Sequence, residues 1–307
     1  MSNAIEVKNL TKQFGVQKAV NDASFTVKKG AVCGFLGKNG AGKTTTIKML
    51  VGLSNPTAGQ ISLLGEERHH GSNNNCKIGY LPDVPNFYGY MTAREYLNFC
   101  GKLYNFDDKK LKSRIDDCLK QVSMHDVKKR ISTYSRGMKQ RLGIAQALIN
   151  EPEIVFLDEP VSALDPMGRH DIMELIKSLQ GTTTIFFSTH ILSDVEDICD
   201  HILIIEKGKI LTDDSMLNLK KKYAENAILI KLFTGEDANK FIGVLENRKE
   251  FSFERINPSE IIVRSDNVYN LSKQMMNLLA ESDNTLESFR AYTPSLENIF
   301  MEVTKNA

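Results

Sequence analysis

Gly37-Lys38-Asn39-Gly40-Ala41-Gly42-Lys43-Thr44 fits G-x-x-x-x-G-K-[ST], a loop that closes around phosphate. The chemistry dictates the residue types. Glycine leaves no Cβ between the backbone and the anion, so several N–H groups face one charge. A lysine after the last glycine reaches the β- and γ-phosphates, and the next hydroxyl suits Mg²⁺. Lys43 and Thr44 hold those places; Gly37, Asn39, Gly40, Ala41, Gly42 and Thr45 make up the rest of the cradle. Farther along, Ile154-Val155-Phe156-Leu157 runs into Asp158 and Glu159. A carboxylate emerging there from a buried strand can hold Mg²⁺ directly or through water. Thr184-Ile185-Phe186-Phe187-Ser188-Thr189 likewise runs into a histidine, His190. Phosphate positioning, a metal and an oriented nucleophile are the needs of phosphoryl transfer to water.

Positioning these groups calls for particular elements. Ala31–Leu36 is a short apolar run and predicts a buried strand before the loop. Thr45–Leu50 predicts a helix after it, whose N-terminal dipole favours phosphate. Alternation around Ile5 and Val7 over 4–10, and around Phe25 and Val27 over 23–27, predicts half-buried strands; Gln60–Leu64 is another. From Thr92 to about Ile149 the patterns are helical. In the last of these helices Ser135 is a good N-cap, Met138, Leu142, Ala145 and Ile149 share a face, and Asn150 and Pro152 end it. Lys207-Gly208 separates two apolar runs and predicts a hairpin. Past residue 226, strands at 227–230 and 261–263 alternate with helices at 237–247 and 268–281. A strand at 286–291 and a helix at 295–303 follow, the pattern of a small α+β domain. His69-His70 sits in a polar, Asn-rich stretch without further metal ligands nearby and reads as a solvated loop.

In order and spacing, the P-loop, Ser135–Arg141, Ile154–Pro160, Ser162–Asp165 and Thr184–His190 resemble the ATP-binding subunit of an ABC transporter. The resemblance runs from about residue 4 to about 222. It implies an α/β P-loop NTPase core with an antiparallel β subdomain and an inserted helical subdomain at about 86–150. A C-terminal α+β domain, 226–307, would follow the ATPase domain, 1–222. The cofactors implied are ATP and Mg²⁺. By this likeness Glu159 is the general base, His190 the switch histidine at the γ-phosphate, and Lys43 a catalytic cation. Thr44, Asp158 and Asp83 would serve the metal; Phe14 would stack on adenine and Val20 would line the same site. Ser135, Gly137, Met138 and Asp165 would meet the nucleotide of a second, head-to-tail copy, each chain completing the other's site. Two residues depart from the family pattern: Arg136 stands where a second glycine is common, and Asp83 where many relatives carry glutamine. Asp83 is shorter and charged, which puts its metal contact in doubt. The closing segment Pro294–Thr304 resembles the end of drug- and antibiotic-export ATPases of the ABC-2 type.

Composition narrows the field. Hydrophobic content of 41% and charged content of 25% fit an ordinary globular protein. A net charge of +1 gives no electrostatic case for nucleic acid. No apolar run approaches a membrane span. The resemblance therefore assigns the membrane part to a separate permease and this chain to the cytoplasmic face of the cell membrane. Five cysteines without a C-x-x-C pair read as buried small hydrophobes. Phe87-Tyr88-Gly89-Tyr90-Met91 has two readings, a surface that docks the permease or a buried part of the helical subdomain. Two other function classes compete with an exporter ATPase: a soluble ABC ATPase of translation or DNA maintenance, and an importer ATPase. A single cassette and the lack of sustained heptads between Lys43 and Ser135 count against the first; the tail counts mildly against the second.

Overall fold

The computed structural model describes every residue except 1, 69–72, 163, 224–226, 247, 249–250, 266–267, 283 and 306–307. His69 and His70 thus lie outside the described residues. The chain divides into two compact units, one of residues 1–216 with 300–307 and one of 217–299.

In the first unit, β1 (Asn3–Phe14) and β2 (Gln17–Lys28) form a hairpin, followed by β3 (Val32–Leu36) and helix α1 (Lys43–Leu50). β4 (Ala58–Leu63) and β5 (Glu66–Glu67) complete an antiparallel sheet of order β2-β1-β4-β5. Ile5, Val7, Phe25 and Val27 turn inward from it, as alternation requires. The hairpin strands run longer than the alternating stretches because register shifts after Val7 and Leu10 break the period while pairing continues.

Next come β6 (Ile78–Leu81), α2 (Ala93–Gly101), α3 (Asp108–Gln121) and α4 (Arg136–Leu148). They are followed by β7 (Ile154–Asp158), α5 (Pro166–Ser178), β8 (Thr184–Thr189), α6 (Leu192–Glu196), β9 (His201–Glu206) and β10 (Lys209–Ser215). The second sheet has the order β10-β9-β3-β8-β7-β6, parallel except at β10. Every residue of β3, β7 and β8 is buried, the reason these strands read as unbroken apolar runs. Between the sheets Phe186 packs on Phe35 at 5.1 Å, Phe156 at 5.8 Å and Phe25 at 5.9 Å between ring centroids. Each ring so buried contributes about 1.5–3 kcal/mol. In the helical block, Thr92 and Glu95 form a capping box on α2, Asp107 caps α3 and Ser135 caps α4.

The second unit holds most of α7 (Met216–Lys222), then β11 (Ala227–Leu232), α8 (Gly235–Glu246), β12 (Ser252–Asn257) and β13 (Glu260–Arg264). α9 (Val268–Glu281), β14 (Leu286–Ala291) and α10 (Leu296–Lys305) close the chain. Its sheet is antiparallel throughout, in the order β12-β13-β11-β14. Strands and helices alternate as βαββαβ, a split-βαβ, ferredoxin-like arrangement. Ile228, Ile230 and Leu232 pack with Phe241 and Leu245 of α8 and Leu271 and Met275 of α9.

The sequence places the division at 222–226, with the whole tail beyond it. The first unit ends at Met216 and takes up the chain again at Phe300. Both crossings fall inside continuous helices, α7 and α10, where no composition break marks them.

Candidate nucleotide-binding and hydrolysis site

Parallel strands put the chemistry on one edge. Leu36 pairs with Thr189 and Asp158 with Ser188, so the P-loop, Glu159 and His190 leave neighbouring strands at the same end. Asp83 follows β6, whose Leu81 pairs with Leu157 of β7. The carboxyl ends of parallel strands are where open α/β sheets bind ligands. A cleft of about 440 Å³ lies there, with Lys38, Asn39, Gly40, Gly42, Lys43, Thr44 and Thr45 in its wall, together with Asp83 and Glu159.

The P-loop conformation rests on glycine at Gly42. Its φ is +112°, and a Cβ there would meet the Ala19 carbonyl oxygen at 2.5 Å. Lys43, only 6% exposed, donates to the Gly37 carbonyl at 2.7 Å, and its Nζ lies 3.4 Å from Glu159 Oε1. The other carboxylate oxygen of Glu159 is 2.9 Å from His190 Nδ1. A carboxylate only accepts, so this bond requires the proton on Nδ1. Glu159 therefore stands between a P-loop cation and the histidine. Its backbone has φ +50°, uncommon for a residue with a side chain and frequent at functional sites. Four contacts hold the turn: the Glu159 N–H donates to the Ser188 carbonyl at 3.2 Å and to Ser188 Oγ at 3.1 Å, and the Glu159 carbonyl accepts from Gln140 Nε2 and from the Ser162 N–H, each at 3.3 Å.

Asp158 is almost wholly buried. Its Oδ1 accepts from Ser188 Oγ at 2.6 Å, while Oδ2 is buried with no hydrogen-bond partner. An unmatched carboxylate oxygen in the interior is costly, and a hard divalent cation or its water removes the cost. With the Thr44 hydroxyl on the cleft wall, the donor set fits Mg²⁺. The half-buried Tyr80 hydroxyl is pushed up to about 12, first by burial, then by the charges of Asp158 and Asp83. Asp83 lines the cleft and its Oδ1 is 3.5 Å from Ser162 Oγ.

Other expected residues lie elsewhere. Val20 is fully buried in the core, because the alternation of β2 turns it inward; Gln17, Lys18 and Ala19 reach the cleft instead. Ala41 also packs into that core, and Gly37 is buried beneath the loop. Phe14 is 56% exposed, with Lys12 Nζ 5.1 Å from its ring centroid. Ser135 accepts the Met138 N–H at 3.2 Å as the cap of α4; Asp165 accepts the Gly168 N–H at 3.1 Å as the cap of α5. Ser135, Gly137, Met138 and Asp165 do not line the cleft of their own chain.

Sequence reasoning missed Ser188 and Gln140, which shape the turn at Glu159. Their signal was weak: a serine near the end of an apolar strand, and a glutamine in the second turn of a helix. It also missed Lys207 and Gly208, which line the cleft because the Gly208 N–H donates to the Ala41 carbonyl at 2.9 Å.

The fold and this cleft define a P-loop ATPase. The family model described as "ABC transporter" matches residues 20–162. The chain is 37% identical to an uncharacterized ABC transporter ATP-binding protein, YxlF of Bacillus subtilis, over 97% of this chain and 99% of that one. It is 44% identical to the bacitracin transport ATP-binding protein BcrA of Bacillus licheniformis, over 80% of this chain and 79% of that one. Among solved structures it is similar to an ATP-binding subunit of an ABC transporter, with a TM-score of 0.66 at 29% identity, covering 72% of this chain and 93% of that chain. A dimeric ATP-binding cassette bound to ADP and Pi shares the fold, with a TM-score of 0.64 at 24% identity over 69% of this chain and 98% of that one. The chain belongs to the ABC transporter ATP-binding proteins and is an ATPase that serves transport.

Proposed function

We propose that this chain powers an exporter of the ABC-2 type from the cytoplasmic face of the cell membrane, as a head-to-tail homodimer bound to a separate permease. The observation that carries the mechanism is Glu159, held between Lys43 at 3.4 Å and His190 at 2.9 Å on the wall of the P-loop cleft. P-loop amides and Lys43 bind the phosphates. Thr44 and Asp158 would hold Mg²⁺, which would supply charge neutralisation at the phosphate oxygens. Glu159 accepts the proton of the attacking water, a role worth about 10²–10⁴-fold. His190 orients that carboxylate.

A second copy is supported by Ser135 and Asp165, the caps of two helices, and by Gly137 and Met138 in the first turn of α4, all outside their own chain's cleft. Helix N-termini are suited to anions, and head-to-tail pairing directs them at the partner's nucleotide. The dimeric relative bound to ADP and Pi supports this assembly. Among the described residues no helix is long and apolar enough to cross a membrane, which fits a separate permease. Tyr88 and Tyr90, 49% and 66% exposed, sit 5.9 Å apart beside Phe99 and offer an aromatic surface for it. Export is supported by the likeness to bacitracin transport proteins.

Glu159→Gln tests the reading. The amide keeps the shape and removes the basic oxygen. ATP should bind, turnover should fall at least about 100-fold, and light scattering should show an ATP-dependent dimer. Turnover at the wild-type rate would refute the assignment of the base.

A further inference from the structure

We propose that Arg169 is a positioning residue for His190 and acts through Asp194. This rests on the roles proposed above for Glu159 and His190. His190 is half exposed, and its hydrogen bond among the described residues is the one to Glu159. Its place therefore depends on the segment that follows. That segment is α6, Leu192–Glu196, five residues long, with no side-chain bond at its N-cap Ile191. A helix this short does not persist on its own propensity and needs tertiary anchors.

Among its anchors, two lie on adjacent residues, beside the Ile191 N–H that donates to Thr189 Oγ1 at 3.0 Å. Val195 is fully buried against β3; a Cβ on Gly34 would meet its Cγ1 at 2.6 Å. Asp194 points the other way, and both its oxygens accept from Arg169 Nη2, at 2.9 Å and 3.0 Å. The Asp194 side chain is 12% exposed and that of Arg169 32%, so the pair is partly desolvated. Arg169 lies in the first turn of α5, and its N–H donates to the carbonyl of the cap residue Asp165 at 2.9 Å. One ion pair thus ties the start of the helix after the Asp165 loop to the start of the helix after His190.

A cleft of about 510 Å³ opens beside the pair, with His170, Met173 and Lys177 in its wall; among the described residues the cation paired with Asp194 is Arg169. Without the guanidinium, α6 keeps Val195 as a pivot and loses what sets its rotation. His190 then swings relative to Glu159, and a displacement near 1 Å at a reacting group costs up to about 100-fold in rate. Nucleotide binding, which uses the P-loop, is untouched.

The test measures steady-state ATP hydrolysis of the full chain. Arg169→Met keeps the bulk and removes the charge. It should lower kcat about tenfold and leave KM within about twofold. Arg169→Lys should fall between, since it keeps the charge but carries it on a shorter side chain that does not reproduce the place of Nη2. The reversed pair, Arg169→Asp with Asp194→Arg, should bring kcat back to within about threefold of wild type. In a His190→Ala background, Arg169→Met should add less than about twofold, because the group it positions is gone; a general structural role would add in full. Wild-type kcat in Arg169→Met, a loss confined to KM, or full additivity with His190→Ala would overturn the proposal. If Arg169→Met fails to fold, Arg169→Lys and the reversed pair decide. A His190→Ala chain with wild-type turnover would instead remove the role of His190 itself.

Discussion

Ser188→Ala isolates the support beneath the two carboxylates. Ser188 Oγ donates to Asp158 Oδ1 at 2.6 Å and accepts the Glu159 N–H at 3.1 Å. The Glu159 N–H keeps the Ser188 carbonyl at 3.2 Å, so its loss is small. Asp158 fares worse. It is 1% exposed and Oδ2 already lacks a partner, so the substitution strips the side-chain donor from a buried charge. Hydrogen bonds to charged groups contribute about 1.5–3 kcal/mol. For a unit of this size each kcal/mol moves Tm by about 2–4 °C, which predicts a fall of about 3–12 °C. Mg-ATP should shrink it, because a cation on Oδ2 compensates the carboxylate. The assay is thermal unfolding of the first unit's transition, with and without Mg-ATP, in a Glu159→Gln background that prevents hydrolysis. An unchanged Tm would show that Ser188 carries no part of this charge. Equal falls with and without Mg-ATP would refute the assignment of Asp158 to the metal.

Tyr88→Ser with Tyr90→Ser should leave basal ATP hydrolysis and Tm unchanged and abolish co-purification with the permease, since both rings are exposed; retained co-purification would move the docking surface elsewhere. The thiols of Cys33 and Cys199 are pushed up chiefly by full burial, with Asp213 adding to the first and Cys33 to the second. Cys118 is pushed up to about 11, again mainly by burial. The thiolate is the reactive form, so a raised value lowers its fraction at pH 8. Native alkylation read by mass spectrometry should therefore label the exposed Cys76 first; equally fast labelling of Cys33 or Cys199 would contradict their burial.

Much of the first unit was legible because its chemistry is local. The P-loop is one uninterrupted segment whose glycine at Gly42 is demanded by its positive φ as well as by the nearby Ala19 carbonyl. Asp158, Glu159 and His190 announce themselves as polar residues ending apolar runs, since buried parallel strands tolerate little else. The second unit's helices were readable from periodicity, yet its order β12-β13-β11-β14 was not, because nothing local encodes which strands pair. β12 went unread for a related reason: five of its six residues are exposed and give no inward alternation.

Sequence by itself determined the phosphate loop, the two carboxylates, the histidine and the strands that carry them, because each depends on neighbours in the chain. Tertiary structure alone decided how those groups are tuned. It turned Val20 inward and Gln17, Lys18 and Ala19 toward the cleft, through the register of β2. It brought Ser188 and Gln140 under Glu159, the Gly208 turn onto the P-loop, and Arg169 onto Asp194. These are contacts between residues far apart in the chain, made when sheet pairing and helix packing bring them within hydrogen-bond reach. Composition and periodicity record which face of an element is buried, and carry no information about which distant side chain meets it there.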